Sequence, residues 1–374
     1  MDLNITDQQA VKRCLELALN GIGSVSPNPL VGAVIIDNGK IIAEGWHKQF
    51  GGIHAEIDAI NNAEKNGISS FENLTLAVNL EPCSHFGKQP PCVDTIIEKK
   101  FKRVIIGMKD PNPLVAGKGI EKLKEANIDV EVGVLENDCT WINRFFCKYI
   151  TTQKPFIIMK AAQSLDGCIA TKTGESKWIT CDESRRRVHV LRNEADAVLI
   201  GINTLLEDNP LLDTRFLENS NHNPAAIIFD SKLRIDINSN IVQQAKNRIV
   251  IVVHTIDNDD KIKLLLEKNV ILIKAKKDEN QLIDIEDALT KISSAYKFSS
   301  ILIEGGSKIF SSFIEKDLVD ELHVFIAPMI IGNGLKTFAD LDTKELSLSK
   351  RFRIAGSVIS GTDEHLLFLK KLII

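Results

Sequence analysis

The sequence predicts an α/β protein built from two three-layer domains. Short apolar runs of strand length alternate along the chain with amphipathic segments of helical period, which is typical of layered α/β folds. The chain has 374 residues, more than one hydrophobic core usually holds. A polar break ending in proline, at residues 151–155, separates two such alternating stretches. We therefore expect one domain over residues 1–150 and a second over residues 151–374.

The amino-acid composition indicates a soluble globular protein and argues against several functional classes. Apolar residues make up 44% of the chain and charged residues 26%. The net charge of −4 gives no general attraction for nucleic acid or for an anionic membrane. The first ten residues lack the basic start and apolar core of a signal peptide, and no apolar run reaches the length of a membrane span. Seven cysteines argue against a disulfide framework, so we expect a cytoplasmic protein without nucleic-acid or membrane partners.

The elements of the first half follow from local signals. Thr6 and Gln9 fit a capping box that begins the first helix, and the apolar residues of that helix share one face. Asp37, Asn38 and Gly39 form a hairpin signal between strands at 30–36 and 40–43. The remaining elements alternate: helix 55–65, strand 74–80, helix 93–99, strand 103–108, helix 120–126, strand 130–134 and helix 137–149.

The second half restarts the alternation with a strand at 156–159. Thr180 and Glu183 fit a second capping box, for a helix that runs through Leu191. Gly305 and Gly306 precede a helix at 308–315, and a helix N-terminus behind glycines is a general phosphate-binding device. The other expected strands are 197–200, 225–229, 248–253, 270–273, 301–303 and 322–327.

One group of residues carries metal chemistry: His54, Glu56, Cys83 and Cys92. One imidazole and two thiolates suit Zn²⁺, and three protein ligands leave the fourth position open for water, as in catalytic zinc sites. Zinc lowers the pKa of such a water toward ~7. Glu56 would carry protons between that water and a leaving amine. The pattern therefore predicts a hydrolytic zinc deaminase with one zinc per chain.

The predicted elements place these residues at element ends. His54 and Glu56 open one helix, Cys92 opens the next, and Cys83 follows a strand. A helix N-terminus favours a thiolate, and ligands of α/β proteins lie beyond strand ends. The loop between the two cysteines is longer than the two residues of the usual deaminase signature. The plainer interpretation is that His54 caps a helix and that both cysteines are buried thiols.

Over essentially its whole length the chain resembles the bifunctional deaminase/reductase family of riboflavin biosynthesis. The resemblance rests on residues 54–56 (HAE), 82–92 (PCSHFGKQPPC), 160–167 (KAAQSLDG) and 174–180 (GESKWIT). It implies a cytidine-deaminase-like first domain that removes the 2-amino group of a diaminopyrimidinone ribosyl phosphate. It also implies a dihydrofolate-reductase-like second domain that uses NADPH to reduce the ribosyl group to ribityl.

The resemblance also implies roles for individual residues. The zinc ligands would be His54, Cys83 and Cys92, with Glu56 as the acid/base. The deaminase substrate pocket would contain Asn28, His47, His85, Lys88, Asp110 and Asn112. In the second half the catalytic residues would be Lys160 and Asp208. The residues that bind the reductase substrate would be Ser176, Arg192, Leu212, Arg215 and Glu304. Those that bind the cofactor would be Ala162, Trp178, Thr204, Asp208, Ser231, Gly305, Gly306 and Ser307.

Plainer interpretations stay open for some of these residues. Asn28, Asp110 and Asn112 stand beside prolines and also suit turns. Arg192 also suits a solvated helix face, and Trp178 also suits a core. Histidines without a partner motif are interpreted as ordinary surface or core residues: His189, His222, His254 and His323.

The segment after the strand at 225–229 bears on the choice of cofactor. Ser231, Lys232 and Arg234 favour the 2′-phosphate of NADPH, because cations near the ribose attract it. Asp230 in the same segment suits the 2′-hydroxyl of NADH instead. The sequence therefore favours NADPH without excluding NADH.

Other functional classes compete with a bifunctional enzyme. A nucleic-acid deaminase would need a basic surface, against which the net charge argues. A deaminase with a non-catalytic second half would not need Lys160, Asp208 and Glu304 together. A structural zinc site would fill its fourth position, for which His85 is a candidate, but Glu56 favours catalysis. We also expect a homo-oligomer.

Overall fold

The computed structural model describes residues 4–85, 90–113, 115–217, 222–339 and 341–370. Contacts divide the chain into two compact units, one through Gln153 and one from Lys154. Each unit has its own main sheet and its own hydrophobic core. Both units are α/β, as predicted. Within the described ranges, no helix is long and apolar enough to cross a membrane.

The first unit is built on a five-stranded sheet of order β2-β1-β3-β4-β5. Its elements are α1 (Asp7–Ala18), β1 (Gly32–Asp37), β2 (Lys40–Trp46), α2 (Ala55–Lys65), β3 (Thr75–Leu80), α3 (Cys92–Glu98), β4 (Arg103–Met108), α4 (Lys118–Glu125), β5 (Asp129–Val132), α5 (Glu136–Ile142) and α6 (Arg144–Thr152). Strand β1 is antiparallel to β2 and β3, whereas β3, β4 and β5 are parallel. Successive residues of β1, β3 and β4 are buried, so both faces of the sheet are covered.

Two local predictions in this unit are confirmed. The Thr6 hydroxyl accepts a hydrogen bond from the Gln9 amide, and the Gln9 side chain accepts one from the Thr6 amide. The hairpin between β1 and β2 turns at Asn38 and Gly39, which both adopt positive φ, at 45° and 73°. Two left-handed residues match the twist of the flanking strands.

The predicted helix at 137–149 is wrong, because Asn143 breaks it into α5 and α6. The Asn143 side chain accepts a hydrogen bond from the Leu30 amide at 2.8 Å and donates one to the Leu30 carbonyl at 3.0 Å. Asn79 also donates to the Leu30 carbonyl and accepts from the Gly32 amide. Side chains thus take the place of a strand neighbour here, and β1 begins at Gly32 rather than at residue 30.

The second unit is built on a nine-stranded sheet of order β11-β10-β9-β8-β12-β6-β13-β16-β15, beside a small β7-β14 pair. Its strands are β6 (Phe156–Ser164), β7 (Cys168–Ala170), β8 (Ala197–Gly201), β9 (Ala225–Phe229), β10 (Val250–His254), β11 (Ile271–Lys274), β12 (Ser300–Ile303), β13 (Glu321–Ala327), β14 (Leu335–Lys336), β15 (Arg353–Ser360) and β16 (Asp363–Leu369). Its helices are α7 (Asp182–Glu194), α8 (Ile202–Asp208), α9 (Asn240–Gln244), α10 (Asp259–Glu267), α11 (Ile285–Tyr296) and α12 (Ser307–Glu315).

The second predicted capping box, at Thr180 and Glu183, is wrong. Cys181 is the N-cap of α7, and its side chain makes no capping hydrogen bond. Asp363 instead accepts hydrogen bonds from the Cys181 amide and the Ser184 hydroxyl. A contact distant in sequence therefore fixes the start of this helix.

The sheet brings several predicted site residues to one edge. Strands β11, β10, β9, β8, β12, β6 and β13 are parallel to one another. The carboxyl ends of parallel strands meet at a common edge, where α/β proteins bind ligands. Thr204 follows β8, Ser231 follows β9 and Glu304 follows β12 at this edge.

Candidate active sites

Three elements of the first unit converge on one group of metal-ligating atoms. His54 is the N-cap of α2, Cys92 is the first residue of α3, and Cys83 follows β3. The His54 Nδ1 atom lies 3.2 Å from the Cys92 Sγ atom and 3.5 Å from the Cys83 Sγ atom. A zinc ion bound at roughly 2.0 Å to nitrogen and 2.3 Å to sulfur separates such atoms by about 3.5 Å. The spacing of this donor set therefore fits zinc.

The plainer interpretation of these residues describes their surroundings only in part. His54 occupies the N-cap position, but its side chain makes no capping hydrogen bond and lies against the two sulfurs. The hydrogen bond from the Cys92 thiol lowers the pKa of the Cys83 thiol to about 4, although burial opposes this. Among the residues that the structure describes, this is the one set of three or more potential metal ligands, and His85 is not part of it.

Glu56 lies in the first turn of α2 and is 4% exposed. Burial, followed by the negative charge of Cys83, raises the pKa of its carboxyl group to about 7. A carboxyl group with a pKa near neutrality can both accept and donate a proton. The predicted acid/base thus stands next to the ligand group in a suitable environment.

His47 and Asn28 form a hydrogen-bonded pair beside His54. The His47 Nδ1 atom donates to the Ile53 carbonyl at 2.9 Å, so its Nε2 atom is the acceptor for the Asn28 amide at 3.1 Å. Burial lowers the pKa of His47 and keeps this ring neutral. The rings of His47 and His54 meet edge to face at 5.6 Å. Asn28 also has the turn role, since its backbone amide donates to the Val25 carbonyl.

Glu81 was missed by sequence reasoning and organises the loop after β4. Its carboxylate is buried and accepts hydrogen bonds from four backbone amides: those of Asp110 (3.1 Å), Gly117 (3.0 Å), Gly119 (2.9 Å) and Ile120 (3.3 Å). A side chain that binds only backbone amides leaves no pattern in the sequence. Its place beside Pro82 and Cys83 was the available signal.

For the other predicted pocket residues of this unit, no contact with the metal-ligating group is described. The Asp110 carboxylate accepts a hydrogen bond from the Asn112 amide at 2.8 Å, which is the turn that the proline-rich segment suggested. Burial raises the pKa of Asp110. His85 is exposed. Lys88 lies outside the described residues.

In the second unit, a buried carboxylate joins two predicted cations. The Glu304 carboxylate lies 3.4 Å from the Lys160 Nζ atom, and it accepts two hydrogen bonds from the Arg192 guanidinium. The side chains are 5% exposed for Glu304, 13% for Lys160 and 11% for Arg192. Burial alone would raise the pKa of Glu304, but the charges of Arg192 and Lys160 outweigh it and lower the pKa to about 2. The solvated interpretation of Arg192 is therefore wrong.

Leu212 and Arg215 lie on the segment that Arg192 also contacts. Arg192 donates to the Asp213 carbonyl at 3.0 Å, and the Asp213 carboxylate pairs with Arg215. Leu212 is buried and has φ of 52°, which is unusual for a residue with a branched side chain. The structure thus brings four of the five predicted substrate residues into one connected group: Arg192, Leu212, Arg215 and Glu304. Ser176 makes no contact that joins it to them among the described residues.

The glycine turn at the start of α12 packs closely against β8 and α8. Gly306 is its N-cap with φ of 78°, and a Cβ atom on Gly305 would lie 2.9 Å from Ile200 and 3.1 Å from the Thr204 hydroxyl. The Ser307 hydroxyl oxygen is buried and has no hydrogen-bond partner among the described residues. An unpaired buried hydroxyl at a helix N-terminus fits a phosphate. Gly305, Gly306, Ser307 and Thr204 are therefore brought together as predicted.

The remaining predicted cofactor residues lie on neighbouring segments. Trp178 is 67% exposed, so the core-packing interpretation is wrong, and the Arg185 guanidinium lies over its ring at 4.3 Å. Asp208 ends α8 and pairs with Lys177 at 3.2 Å. Ala162 lies on β6, next to β13.

The structure shows which contacts Asp230, Ser231 and Arg234 make in the segment after β9. Asp230 is fully buried, and its carboxylate accepts a hydrogen bond from the Ile235 amide at 2.8 Å. Its Oδ2 atom therefore closes the turn, whereas its Oδ1 atom is buried and has no hydrogen-bond partner among the described residues. The Ser231 carbonyl accepts from Thr255, and Arg234 donates to Asn203.

Two histidines that the sequence suggested were ordinary have unusual surroundings. His189 is buried on α7 near Arg192 and Arg215, and its Nδ1 atom has no partner within the described part of the chain. His323 lies between Glu321, at 2.6 Å, and His365, at 2.8 Å. A lone histidine carries no pattern that would predict either arrangement.

Comparison with known proteins agrees with this division into two sites. Residues 4–108 match the cytidine and deoxycytidylate deaminase zinc-binding region, and residues 155–365 match the RibD C-terminal domain. The riboflavin biosynthesis protein RibD of Aquifex aeolicus is 39% identical over 97% of this chain and 98% of its own length. That of Actinobacillus pleuropneumoniae is 40% identical over 88% of this chain and 85% of its own.

Solved structures show the same similarity over both units. A diaminohydroxyphosphoribosylaminopyrimidine deaminase/5-amino-6-(5-phosphoribosylamino)uracil reductase from Thermotoga maritima has a TM-score of 0.86 and 38% identity, covering 97% of this chain and 98% of that one. Acinetobacter baumannii RibD also has a TM-score of 0.86, with 32% identity and the same coverage. The chain belongs to the RibD family of riboflavin biosynthesis, whose members combine a deaminase with a reductase.

Proposed function

We propose that this enzyme deaminates 2,5-diamino-6-ribosylamino-4(3H)-pyrimidinone 5′-phosphate and then reduces the ribosyl group of the product to ribityl with NADPH. Residues 1–150 would carry the deaminase and residues 151–374 the reductase. The observation that supports this most directly is the presence of two complete constellations in one chain. One is the His54, Cys83 and Cys92 group with Glu56, and the other is the Glu304 group with Lys160.

We infer that one zinc ion is held by His54, Cys83 and Cys92, because their atoms have the spacing and the chemistry that zinc prefers. The ion would supply a water of lowered pKa. Glu56 would accept a proton from that water and donate one to the departing amine. Its burial supports this, because burial brings the pKa of the carboxyl group near neutrality.

Asn28, His47, His85, Lys88, Asp110 and Asn112 would bind the pyrimidine and its ribosyl phosphate. His47 is neutral and uses both ring nitrogens in fixed hydrogen bonds, so it would orient Asn28. Asp110 and Asn112 lie on the loop that Glu81 holds. His85 and Lys88 would meet the phosphate through charge.

In the second unit, the group around Glu304 would bind the ribosyl phosphate, together with Ser176. The charged pair of Lys160 and Glu304 would face the reacting carbon. The Gly305–Gly306 turn, Ser307 and Thr204 would hold the cofactor pyrophosphate. Ala162, Trp178, Asp208 and Ser231 would line the rest of the cofactor.

The preference for NADPH would come from Ser231, Lys232 and Arg234, since Asp230 is buried in its turn. Steady-state kinetics with each nucleotide tests this. We expect kcat/KM for NADPH to exceed that for NADH, and the ratio to fall at least tenfold in a Ser231→Ala, Lys232→Ala double variant. Lys263→Ala, on the exposed face of α10, is the control. An unchanged ratio in the double variant would remove this segment from the cofactor site.

Product analysis tests the proposed function. Incubation with the diaminopyrimidinone ribosyl phosphate should give the deaminated product alone without NADPH, and the ribityl product with it. Glu56→Gln should reduce added deaminated intermediate but form none, whereas Lys160→Met should deaminate but not reduce. A chain that performs neither step with this substrate, or variants that each lose both steps, would contradict the proposal.

We further propose that the protein forms a homo-oligomer and works in the cytoplasm. Strand β15 lies at the edge of the nine-stranded sheet and exposes Ile354, Val358 and Ile359. An exposed apolar edge strand favours pairing with a second copy. All seven cysteines are free thiols, as in a reducing compartment. Light scattering after size-exclusion chromatography should give a mass above that of one chain, and a single-chain mass would contradict the oligomer.

A further inference from the structure

We propose that Arg248 is a positioning residue of the reductase, which fixes the backbone at Leu211 and Leu212 and thereby places Leu212 and Arg215 for the substrate. The inference rests on the proposed function, because that function gives Leu212 and Arg215 their substrate roles. Arg248 lies just before β10 and itself stands apart from the residues that the family resemblance singles out.

Two guanidinium groups hold three successive carbonyl groups of this segment. Arg248 donates to the Leu211 carbonyl at 2.9 Å and to the Leu212 carbonyl at 3.2 Å. Arg192 donates to the next carbonyl, that of Asp213, at 3.0 Å. Hydrogen bonds from a charged donor are stronger than neutral ones. The path of the segment is therefore set by side chains rather than by a helix or a strand.

The conformation that these contacts maintain is one that the chain would not keep unaided. Leu212 is 2% exposed and has φ of 52°, a left-handed conformation that is unfavourable for a residue with a branched side chain. Such a residue persists where its surroundings fix it, and here the surroundings include the Arg248 guanidinium. Loss of Arg248 would release Leu212 toward a more ordinary conformation and move Arg215 with it.

Arg248 is itself held in place and stays charged. Its guanidinium donates to the Gln244 side chain at 3.0 Å, at the end of α9. Burial and the nearby charge of Arg192 lower its pKa to about 10, which still leaves the group a cation at neutral pH. Because Arg192 also binds Glu304, the segment and the Glu304 carboxylate are joined through one guanidinium group.

Steady-state kinetics of the full-length enzyme tests the role, with the deaminated pyrimidine ribosyl phosphate and NADPH as substrates. We expect Arg248→Met to raise the KM for the pyrimidine at least tenfold, to change kcat less than threefold, and to leave the KM for NADPH and the deaminase rate unchanged. Arg248→Lys should recover part of the KM, because an ammonium group can still donate to a carbonyl.

The control is Asp320→Asn. It weakens the hydrogen bond that Asp320 accepts from the Ile157 amide near the start of β6, at the edge of the sheet opposite the carboxyl ends of the parallel strands. Asp320→Asn should lower the melting temperature but should not raise the KM for the pyrimidine selectively over kcat. If Arg248→Met does not fold, Arg248→Lys and Gln244→Leu decide the matter, and both should raise the KM for the pyrimidine by a smaller factor.

A wild-type KM in the folded Arg248 variants would overturn the inference. So would a uniform change of kcat and both KM values, as expected for a merely structural contact. If the wild-type chain reduces the intermediate and the Arg248 variants have wild-type kinetics, the proposed function stands and only the positioning role of Arg248 is rejected. A wild-type chain that does not reduce it overturns the proposed function and this inference with it.

Discussion

Glu56 and Glu304 are both buried carboxylates, but their surroundings move their pKa values in opposite directions. Glu56 is buried beside a thiolate, which raises its pKa to about 7. Glu304 is buried between Arg192 and Lys160, which lower its pKa to about 2. The first environment suits a group that exchanges protons, and the second suits a permanent anion.

Glu56→Gln should retain zinc but lose deamination by a factor of ~10²–10⁴, the usual contribution of a general acid/base group. The glutamine keeps the shape of the side chain but cannot exchange the proton. Elemental analysis and the rate of amine release measure the two properties. Glu64→Gln, on the exposed part of the same helix, should change neither. Zinc loss in the Glu56 variant would show that the residue supports the ligand group instead.

Glu304→Gln should destabilise the second unit by ~3–5 kcal/mol, because it leaves buried cations without their anion. A carboxylate with a depressed pKa contributes stability that is fully present above its unfolded pKa near 4.5 and is lost as pH falls toward about 2. The variant should therefore lose this part of the acid dependence. Thermal unfolding between pH 5 and 2 measures it, with Glu315→Gln as an exposed control. An unchanged melting temperature would contradict the buried ion pairs of Glu304 with Arg192 and Lys160.

At the scale of elements, the metal-ligating group depends on where α2, β3 and α3 begin and end. The bounds of α2, β4 and β9 agree with their predictions to the residue, because a strong apolar period is bounded by clear breaks. The metal ligands are instead predicted from the types and the spacing of His54, Cys83 and Cys92. The single helix predicted at 137–149 was wrong because the Asn143 side chain bonds to the backbone of Leu30, a contact distant in sequence that no local periodicity shows.

Contacts between side chains and the backbone are the part of the site that could not be predicted. Glu81 binds backbone amides and Arg248 binds backbone carbonyl groups. Almost every residue has these groups, so the sequence does not show which residues the two side chains contact. Helices α8 to α11, the edge strand β15 and its neighbour β16 were also missed. Strand β15 is mostly exposed and rich in small residues, so it lacks an apolar signal.

Glu81→Gln should weaken the loop after β4 and raise the KM of the deaminase step. An amide group supplies one acceptor oxygen where two are needed, so buried backbone amides lose a partner at ~1–3 kcal/mol each. Zinc content should stay at the wild-type value, since the ligands themselves are unchanged. Kinetics together with elemental analysis decides this, and Glu98→Gln at the exposed end of α3 is the control. A normal KM would mean that the loop does not contact the substrate.

At the scale of the whole molecule, the buried His189 and the half-buried His365 link stability to pH. Burial, followed by the charges of Arg192 and Arg215, lowers the pKa of His189 to about 4, and burial beside His323 lowers that of His365 to about 4. The unfolded chain binds these protons near pH 6.5, well before the folded chain does. Protonation therefore favours unfolding across the interval from about 6.5 to 4.

The free energy of unfolding should accordingly fall as pH decreases from 7 to 4, by up to about 1.4 kcal/mol per pH unit for each of the two histidines. Denaturant unfolding of the second unit at several pH values measures the slope. His189→Gln should make the slope shallower, because it removes one of the two groups with a lowered pKa. An identical slope in the His189 variant would show that this ring is protonated in the folded state.

The four amides bound to Glu81 have a consequence for the exchange of hydrogen with solvent. Amides in loops and in the first turn of a helix lack a partner within a helix or strand and normally exchange quickly. The amides of Asp110, Gly117, Gly119 and Ile120 each donate to a buried carboxylate. In deuterated water these four amides, in the loop after β4 and the first turn of α4, should therefore retain their protons about as long as those of strand β4. Glu81→Gln should make the same amides exchange at the rate of an open loop.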